Sequence, residues 1–329
     1  MEVFESLYRD GVFSCAASGT RRIVDASGTP DSAAGAPRPA GPVLRVKSLV
    51  RHGFRRAAAG LALAIGLHAG TVFAAPAAAP AFAWPNGARA AVSLAYDDAL
   101  DSQLDHALPA LDRTGLKASF YLQLSNPAVA RRMEEWRAAA RRGHELGNHS
   151  LFHQCARSKP GRDWVEPHRN LDTTSVEQMR DQVLLANTML AAIDGRQERT
   201  FTVPCGDTVA GGRDYLAAVR DHFVAVKVGG GSGVIDAPAT LDPLAVAVAA
   251  PSGSSGAELI AIVRQAMQRG AMVNLTFHGI GGDYLGVSTQ AHEELLRFLA
   301  ANRQAVWTDT FLNIMKHVRQ QQARSPATR

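Results

Sequence analysis

Between Ala90 and Phe277 short apolar segments alternate with longer amphipathic ones, and this alternation leaves the chain very few architectures. Ala90 to Tyr96 reads as a strand, Leu100 to Arg113 as a helix, Leu116 to Leu122 as a strand, and Pro127 to Arg142 as a helix with Pro in its first turn. A helix over Val176 to Ile193 follows, with Thr174 and Ser175 as caps, then a strand at Phe201 to Val203 and a helix through Tyr215 to Val219. A strand at Phe223 to Val228 leads into the glycine-rich stretch Gly229 to Gly233. A helix near Glu258 to Gln268 then feeds the strand Met272 to Phe277. Parallel strands need a crossover connection, usually a helix, so regular strand–helix succession predicts a parallel α/β architecture. With 46% hydrophobic residues in 329, the core is amply supplied.

The first eighty residues differ in kind. Ala16 to Pro42 is rich in Ala, Gly, Ser, Pro and Arg, without apolar periodicity, and is expected to be disordered or untranslated. Arg51, Arg55 and Arg56, the apolar run Ala57 to Phe73, and Ala74 and Ala75 together have the order of a secretory signal. The expected organisation is an extension over 1–49, a signal peptide over 50–75, a linker over 76–88, one catalytic domain over 89–320 and a flexible tail over 321–329. The apolar run is short of the ~20 residues of a spanning helix and contains His68, so no membrane span is expected after cleavage. The destination is periplasmic or secreted.

Charge follows the same division. The formal net charge is +5, but residues 1–75 hold nine of the 35 basic and five of the 30 acidic residues, leaving 26 and 25 beyond them. No basic stripe with interleaved aromatics remains, which argues against a nucleic-acid partner.

Asp97 and Asp98 close the first predicted strand, and His149 and His153 stand four apart in Gly-Asn-His-Ser-Leu-Phe-His. Two imidazoles and one carboxylate suit a catalytic zinc that keeps a position open for water, and the spare aspartate is left for proton transfer. Such a cation brings the pKa of its water to roughly 7. The chemistry implied is hydrolysis. Read separately, the aspartates could cap the helix that follows, and a lone His-x-x-x-His arises often by chance. His144-Glu145 also begins a zinc-peptidase pattern, but Asn148 stands where its second histidine belongs.

The order Tyr96-Asp97-Asp98, His149-Ser150-Leu151-Phe152-His153, Pro204-Cys205-Gly206 and Phe277-His278 resembles the polysaccharide deacetylase family, also called the NodB-homology or carbohydrate esterase 4 domain, over about Arg89 to Lys316. The resemblance implies a single distorted, incomplete (β/α) barrel. It also implies removal of acetyl groups from an acetylated glycan, with Asp97 as general base and His278 as general acid. Asp98, His149 and His153 would hold one divalent cation, zinc first, with Co2+ or Ni2+ as alternatives. Tyr96, Pro204, Cys205, Gly206, Thr276 and Phe277 would line the substrate pocket. His106, His144, His168, His222, His292 and His317 lack such context and read as surface or structural.

Three departures accompany the likeness. Thr202 stands where the family has an arginine that orients the base, and Lys227 is the first candidate to replace it. The Asp-Trp motif cannot be placed between Phe223 and Gly256, and Thr276 replaces the leucine of the acetyl pocket. A noncatalytic glycan-binding barrel is therefore the alternative to an enzyme, ahead of a zinc peptidase. The resemblance brings the loops of Cys155 and Cys205 together around the metal, so a disulfide between them is expected, with two separate buried thiols as the alternative. The particular glycan and the oligomeric state have no signature in the sequence.

Overall fold

The computed structural model describes residues 82–324. The expected extension 1–49, the signal 50–75, the linker up to residue 81 and the tail residues 325–329 lie outside the described residues. In chain order the strands are β1 (Ala90–Asp97), β2 (Ser119–Leu122), β3 (Glu145–Asn148), β4 (Thr200–Thr202), the small pair β5 (Val209–Ala210) and β6 (Arg213–Asp214), β7 (Ala225–Lys227), β8 (Val234–Ile235), β9 (Met272–Phe277) and β10 (Val306–Asp309). The helices are α1 (Leu108–Thr114), α2 (Pro127–Arg131), α3 (Met133–Arg141), α4 (Val176–Asp194), α5 (Leu216–Val219), α6 (Gly256–Arg269), α7 (Thr289–Ala301) and α8 (Phe311–Arg324).

The main sheet runs β7-β4-β3-β2-β1-β9-β8, with β10 beside the first half of β1. Every pairing in it is parallel except β8 with β9. The sheet curls because residues 243–249, which form no regular strand, bond to both of its distant members. Val246 N donates to Val226 O at 2.8 Å and Thr276 N to Ala249 O at 2.9 Å. The result is a distorted, incomplete (β/α) barrel.

Period-two alternation sorts the strand residues onto two faces. Val92, Leu94 and Tyr96 of β1 join Phe120, Leu122, Leu146, Val273, Leu275 and Phe277 in the layer under the helices. Ala91 and Ala95 face inward with Tyr121, Ala225 and Met272, against Phe311, Ile314 and Met315 of α8. The longer helices are closed at both ends by their sequences. Ser175 with Gln178 and Ser255 with Glu258 form capping boxes, and Gly195 and Gly270 end α4 and α6 in the left-handed conformation.

Several expected boundaries shift. The helix expected over Leu100 to Arg113 passes through a π-helical turn at Gln103–Ala107, where Pro109 has no N–H to offer Asp105. The helix expected over Pro127 to Arg142 breaks at Arg132 (φ −117°), whose guanidinium holds Asp101, Asp105 and Glu135. Phe82 to Ala88, expected as linker, belongs to the domain: Trp84 is buried, donates to Gly270 O at 3.0 Å and meets Phe82 edge-on. At the other end α8 runs to Arg324, beyond the expected boundary at residue 320. No helix among the described residues is long and apolar enough to cross a membrane.

Gly147 of β3 lies beneath the Tyr121 ring, which is fixed by its hydroxyl on Thr200 Oγ1 at 2.7 Å. A Cβ at Gly147 would stand 2.4 Å from that ring. Gly147→Ala is therefore expected to cost about 1–3 kcal/mol by overpacking, read as a lowered urea midpoint. An unchanged midpoint would contradict this packing.

Candidate metal centre and active site

Consecutive residues of an extended strand point to opposite faces, so Asp97 and Asp98 could not share a site if β1 simply continued. The chain departs from extended geometry immediately after Asp97: Asp98 has φ 81° and Ala99 φ 59°. Both carboxylates thereby come to the strand end. Further left-handed non-glycine residues, Ser150, His153 and Cys205, stand in the neighbouring loops. Backbone of this kind is costly and persists where surrounding contacts fix it. Here those contacts are Asn148 Oδ1, which accepts from Ser150 N at 2.7 Å, Ser150 Oγ, which accepts from His153 N at 3.0 Å, and Asn126 Nδ2, which donates to Asp98 O at 2.8 Å.

Asp98 Oδ1 lies 3.1 Å from His149 Nε2 and 3.3 Å from His153 Nε2. It is buried and, among the described residues, has no hydrogen-bond partner. His149 Nδ1 donates to Thr202 O at 2.8 Å, which keeps a proton on Nδ1 and leaves Nε2 facing Asp98, so that Nε2 is the nitrogen that can offer a lone pair to a metal. Burial pushes the His153 pKa down to about 4, so its ring is neutral at neutral pH. Lone pairs of Asp98, His149 and His153 thus converge, with all three ligand atoms within 4.8 Å of one another. Such an arrangement repels itself unless a cation sits between the atoms. The N, N, O set fits a divalent ion of borderline hardness.

Asp97 Oδ2 is 3.9 Å from His149 Nε2, and its Oδ1 is buried without a partner. Burial raises its pKa above the ordinary carboxylate range, against the opposing pull of His149, Lys227 and His278. Burial would raise Asp98 as well, but His153, His149 and His278 overcome it and hold Asp98 well below that range. His149 is raised: burial disfavours its cation, yet Asp97 and Asp98 outweigh that. His278, next after β9, points Nε2 at Asp98 Oδ2 from 3.8 Å and keeps part of its ring in solvent.

Some expected pocket residues lie elsewhere. Tyr96 and Phe277 are fully buried in the layer under the helices, where Tyr96 stacks on Phe120 and Phe277 and bonds His292 Nε2 at 2.6 Å. They support the strand ends and do not line a pocket. Alternation alone assigns them to the face opposite Asp97 and His278. Thr276 faces the barrel interior and accepts from Lys227 Nζ at 3.2 Å. Lys227 is fully buried over the rings of Tyr121 and Phe311, at 4.6 and 5.0 Å. Among the described residues no ion pair joins it to Asp97, so it favours the ionised carboxylate of Asp97 by charge and not by contact.

Pro204, Cys205 and Gly206 form a tight turn directly after Val203, at the end of β4. Cys205 is bonded to Cys155 in a disulfide with Cα atoms 5.8 Å apart, joining this turn to the loop of His153. Cys155 Sγ is 3.6 Å from His153 Nδ1. Asp207 ties the same loops again, accepting from Ala156 N at 2.8 Å and pairing with Arg162 at 2.6 Å and with Lys159.

Two residues at the site were not anticipated. Tyr284 donates its hydroxyl to Asp98 Oδ2 at 2.7 Å, and Gln103 Nε2 donates to Asp97 O at 2.5 Å and His278 O at 3.2 Å. A tyrosine among the glycines that follow His278, and an amide on the buried face of a helix, were their signals.

Residues 85–222 match the profile of a family described as polysaccharide deacetylase. The match contains Asp97, Asp98, His149, His153 and Cys205, and ends before Lys227 and His278. Among solved structures the chain is similar to a Mycobacterium smegmatis protein assigned provisionally as a polysaccharide deacetylase, with 16% identity and a TM-score of 0.53 over 75% of this chain and 95% of that one. This likeness shows a shared fold. Lower similarity is found to the peptidoglycan deacetylase PdaC from Bacillus subtilis, at 18% identity and TM-score 0.43 over 71% of this chain and 93% of that one. A CE4 family pseudoenzyme from Bacillus anthracis gives 17% identity and TM-score 0.41 over 68% and 64%. No curated protein sequence matches the chain.

Burial moves the Lys227 pKa from its ordinary 10.5 down to about 8, against the pull of Asp97 and Glu145. The unfolded chain then binds this proton more tightly than the folded one. The penalty is fully present below about pH 8 and is relieved as pH rises toward about 10.5. Lys227→Met is expected to stabilise the protein more at pH 7 than at pH 10, by about 2.5 kcal/mol in unfolding free energy. A variant-to-parent difference independent of pH would contradict the assignment.

Proposed function

From a chain whose residues 85–222 match the polysaccharide deacetylase family model, we propose an exported, metal-dependent hydrolase that removes acetyl groups from an N- or O-acetylated polysaccharide or oligosaccharide. The observation that carries the proposal is the unpartnered Asp98 Oδ1 between His149 Nε2 and His153 Nε2, with a second buried carboxylate, Asp97, beside them. Asp98, His149 and His153 would hold the cation, zinc first and Co2+ or Ni2+ as substitutes. When bound, it supplies Lewis acidity toward the acetyl carbonyl and acidifies water. Asp97, whose proton affinity is raised by burial, takes the proton of the attacking water. His278, on the other side of Asp98 and partly open to solvent, gives a proton to the departing amine or hydroxyl. Thr202 O holds the His149 tautomer, and Tyr284 restrains the carboxylate of Asp98.

The Cys155–Cys205 bond supports a periplasmic or secreted destination, since disulfides persist in oxidising compartments. Among the described residues no lysine or arginine is paired with Asp97, which favours one second reading, a glycan-binding barrel without turnover. Acetate release from chitin oligomers, peptidoglycan, acetylated xylan and acetylated exopolysaccharide separates the two. Release from at least one is expected, and release from none would leave the binding barrel.

His149→Ala should abolish stoichiometric metal by elemental analysis, and a full equivalent retained would remove this site. Asp97→Asn and His278→Ala should each lose at least the ~100-fold typical of a general acid or base while keeping the metal. Near-normal turnover in Asp97→Asn would show the roles to be wrongly assigned.

A further inference from the structure

The two ring nitrogens of His153 face different partners. Nε2 is 3.3 Å from Asp98 Oδ1, and Nδ1 is 3.6 Å from Cys155 Sγ. His153, Cys155 and Cys205 form a second group whose ligand atoms lie within 4.8 Å of one another. We propose that reduction of the Cys155–Cys205 bond opens a thiolate metal site, His153 Nδ1 with Cys155 and Cys205, that takes a zinc-like divalent cation and withdraws His153 from Asp98 and His149.

Tetrahedral zinc, with Zn–S near 2.3 Å and Zn–N near 2.05 Å, sets its sulfur and nitrogen ligands about 3.6 Å apart. The Cys155–His153 pair already has that spacing. The two sulfurs, 1.97 Å apart in the disulfide, must separate to about 3.8 Å in such a site, and cleavage of the bond permits that movement. Cys155 is buried, while Cys205 lies partly exposed in its turn, where a reductant can reach it. Cleavage does not release the loops. Asp207 accepts from Ala156 N, beside Cys155, and from Arg162, which also donates to Cys205 O at 3.3 Å. The thiols therefore stay close to each other and to His153.

The step balances simply. A dithiol reductant gives two electrons and two protons to the sulfur–sulfur bond and closes to its own disulfide. The two thiols then lose their protons to solvent as the metal binds. A neutral imidazole has one lone pair, so His153 bound through Nδ1 carries its proton on Nε2 and no longer serves the Asp98 side. Thiolates are the softer ligands and favour zinc over the carboxylate set. The inference does not require that the chain cleave acetyl groups, and its test does not read turnover.

The full chain, oxidised or reduced with a dithiol and freed of it anaerobically, is titrated with Co2+ and followed by absorption. The reduced protein is expected to develop a thiolate-to-cobalt charge-transfer band that saturates at one metal per chain, and the oxidised protein none. His149→Ala should keep the band. Cys155→Ser with Cys205→Ser should lack it, and His153→Ala should weaken cobalt binding at the thiolates by at least the ~10-fold that loss of even an outer partner of a ligand costs. No band in the reduced protein, or an unchanged affinity in His153→Ala, overturns the proposal. So does loss of the near-ultraviolet circular dichroism on reduction, because the Asp207 ties would then have failed to hold the loops.

Discussion

A single oxygen organises this molecule's chemistry. Asp98 Oδ1 is buried between two imidazole nitrogens and, among the described residues, has no donor of its own. An anion in that setting is costly unless a positive charge shares it. One source is protonation of the imidazoles. Asp97 and Asp98 raise His149, but burial lowers His153, so the imidazoles supply at most one of the two positive charges that the pair of carboxylates calls for. The remaining source is a cation, and the surrounding loops are arranged for one. The turn that begins at Asp98, the left-handed residues after β3 and the disulfide between the His153 and Pro204 loops fix groups that would otherwise separate.

The barrel interior beneath the site is polar where a core would ordinarily be apolar. Glu145 is buried and accepts from Ser119 Oγ and from Leu312 N at the start of α8, while Tyr121 and Thr200 bond each other. Lys227 lies among these groups with its ammonium over two aromatic rings. Its charge and that of Asp97 favour each other across the interior. Among the described residues no ion pair joins the two, so this lysine acts on Asp97 by field alone. Asp97 is consequently held by burial and by Gln103 at its carbonyl, with its Oδ1 unpartnered. That burial keeps the proton affinity of Asp97 raised above that of an ordinary carboxylate.

Strong periodicity made much of the fold legible. β1 and β9, with eight and six buried residues, stand out as apolar runs, and the start of α4 is marked by Thr174 and Ser175. β3 was not legible, because Glu145-Leu146-Gly147-Asn148 has the composition of a turn and owes its extended form to β2. α8 and β10 escaped because their apolar residues pack against the inner face and the first half of β1, partners far away in sequence. At the site, Asp98, His149 and His153 were marked by residue type and spacing. Tyr96 and Phe277 fall on the side away from the expected pocket because strand alternation splits each motif between the two faces. Tyr284 and Gln103 reach the site through loop and helix geometry that no local pattern encodes.

X-ray absorption fine structure at the zinc edge, on the oxidised protein loaded with one equivalent of metal, tests the central claim most directly. The account predicts a first shell of nitrogen and oxygen alone at about 2.0–2.2 Å, with the outer-shell pattern of two imidazoles. A sulfur shell at about 2.3 Å, or a first shell without imidazole, would contradict it.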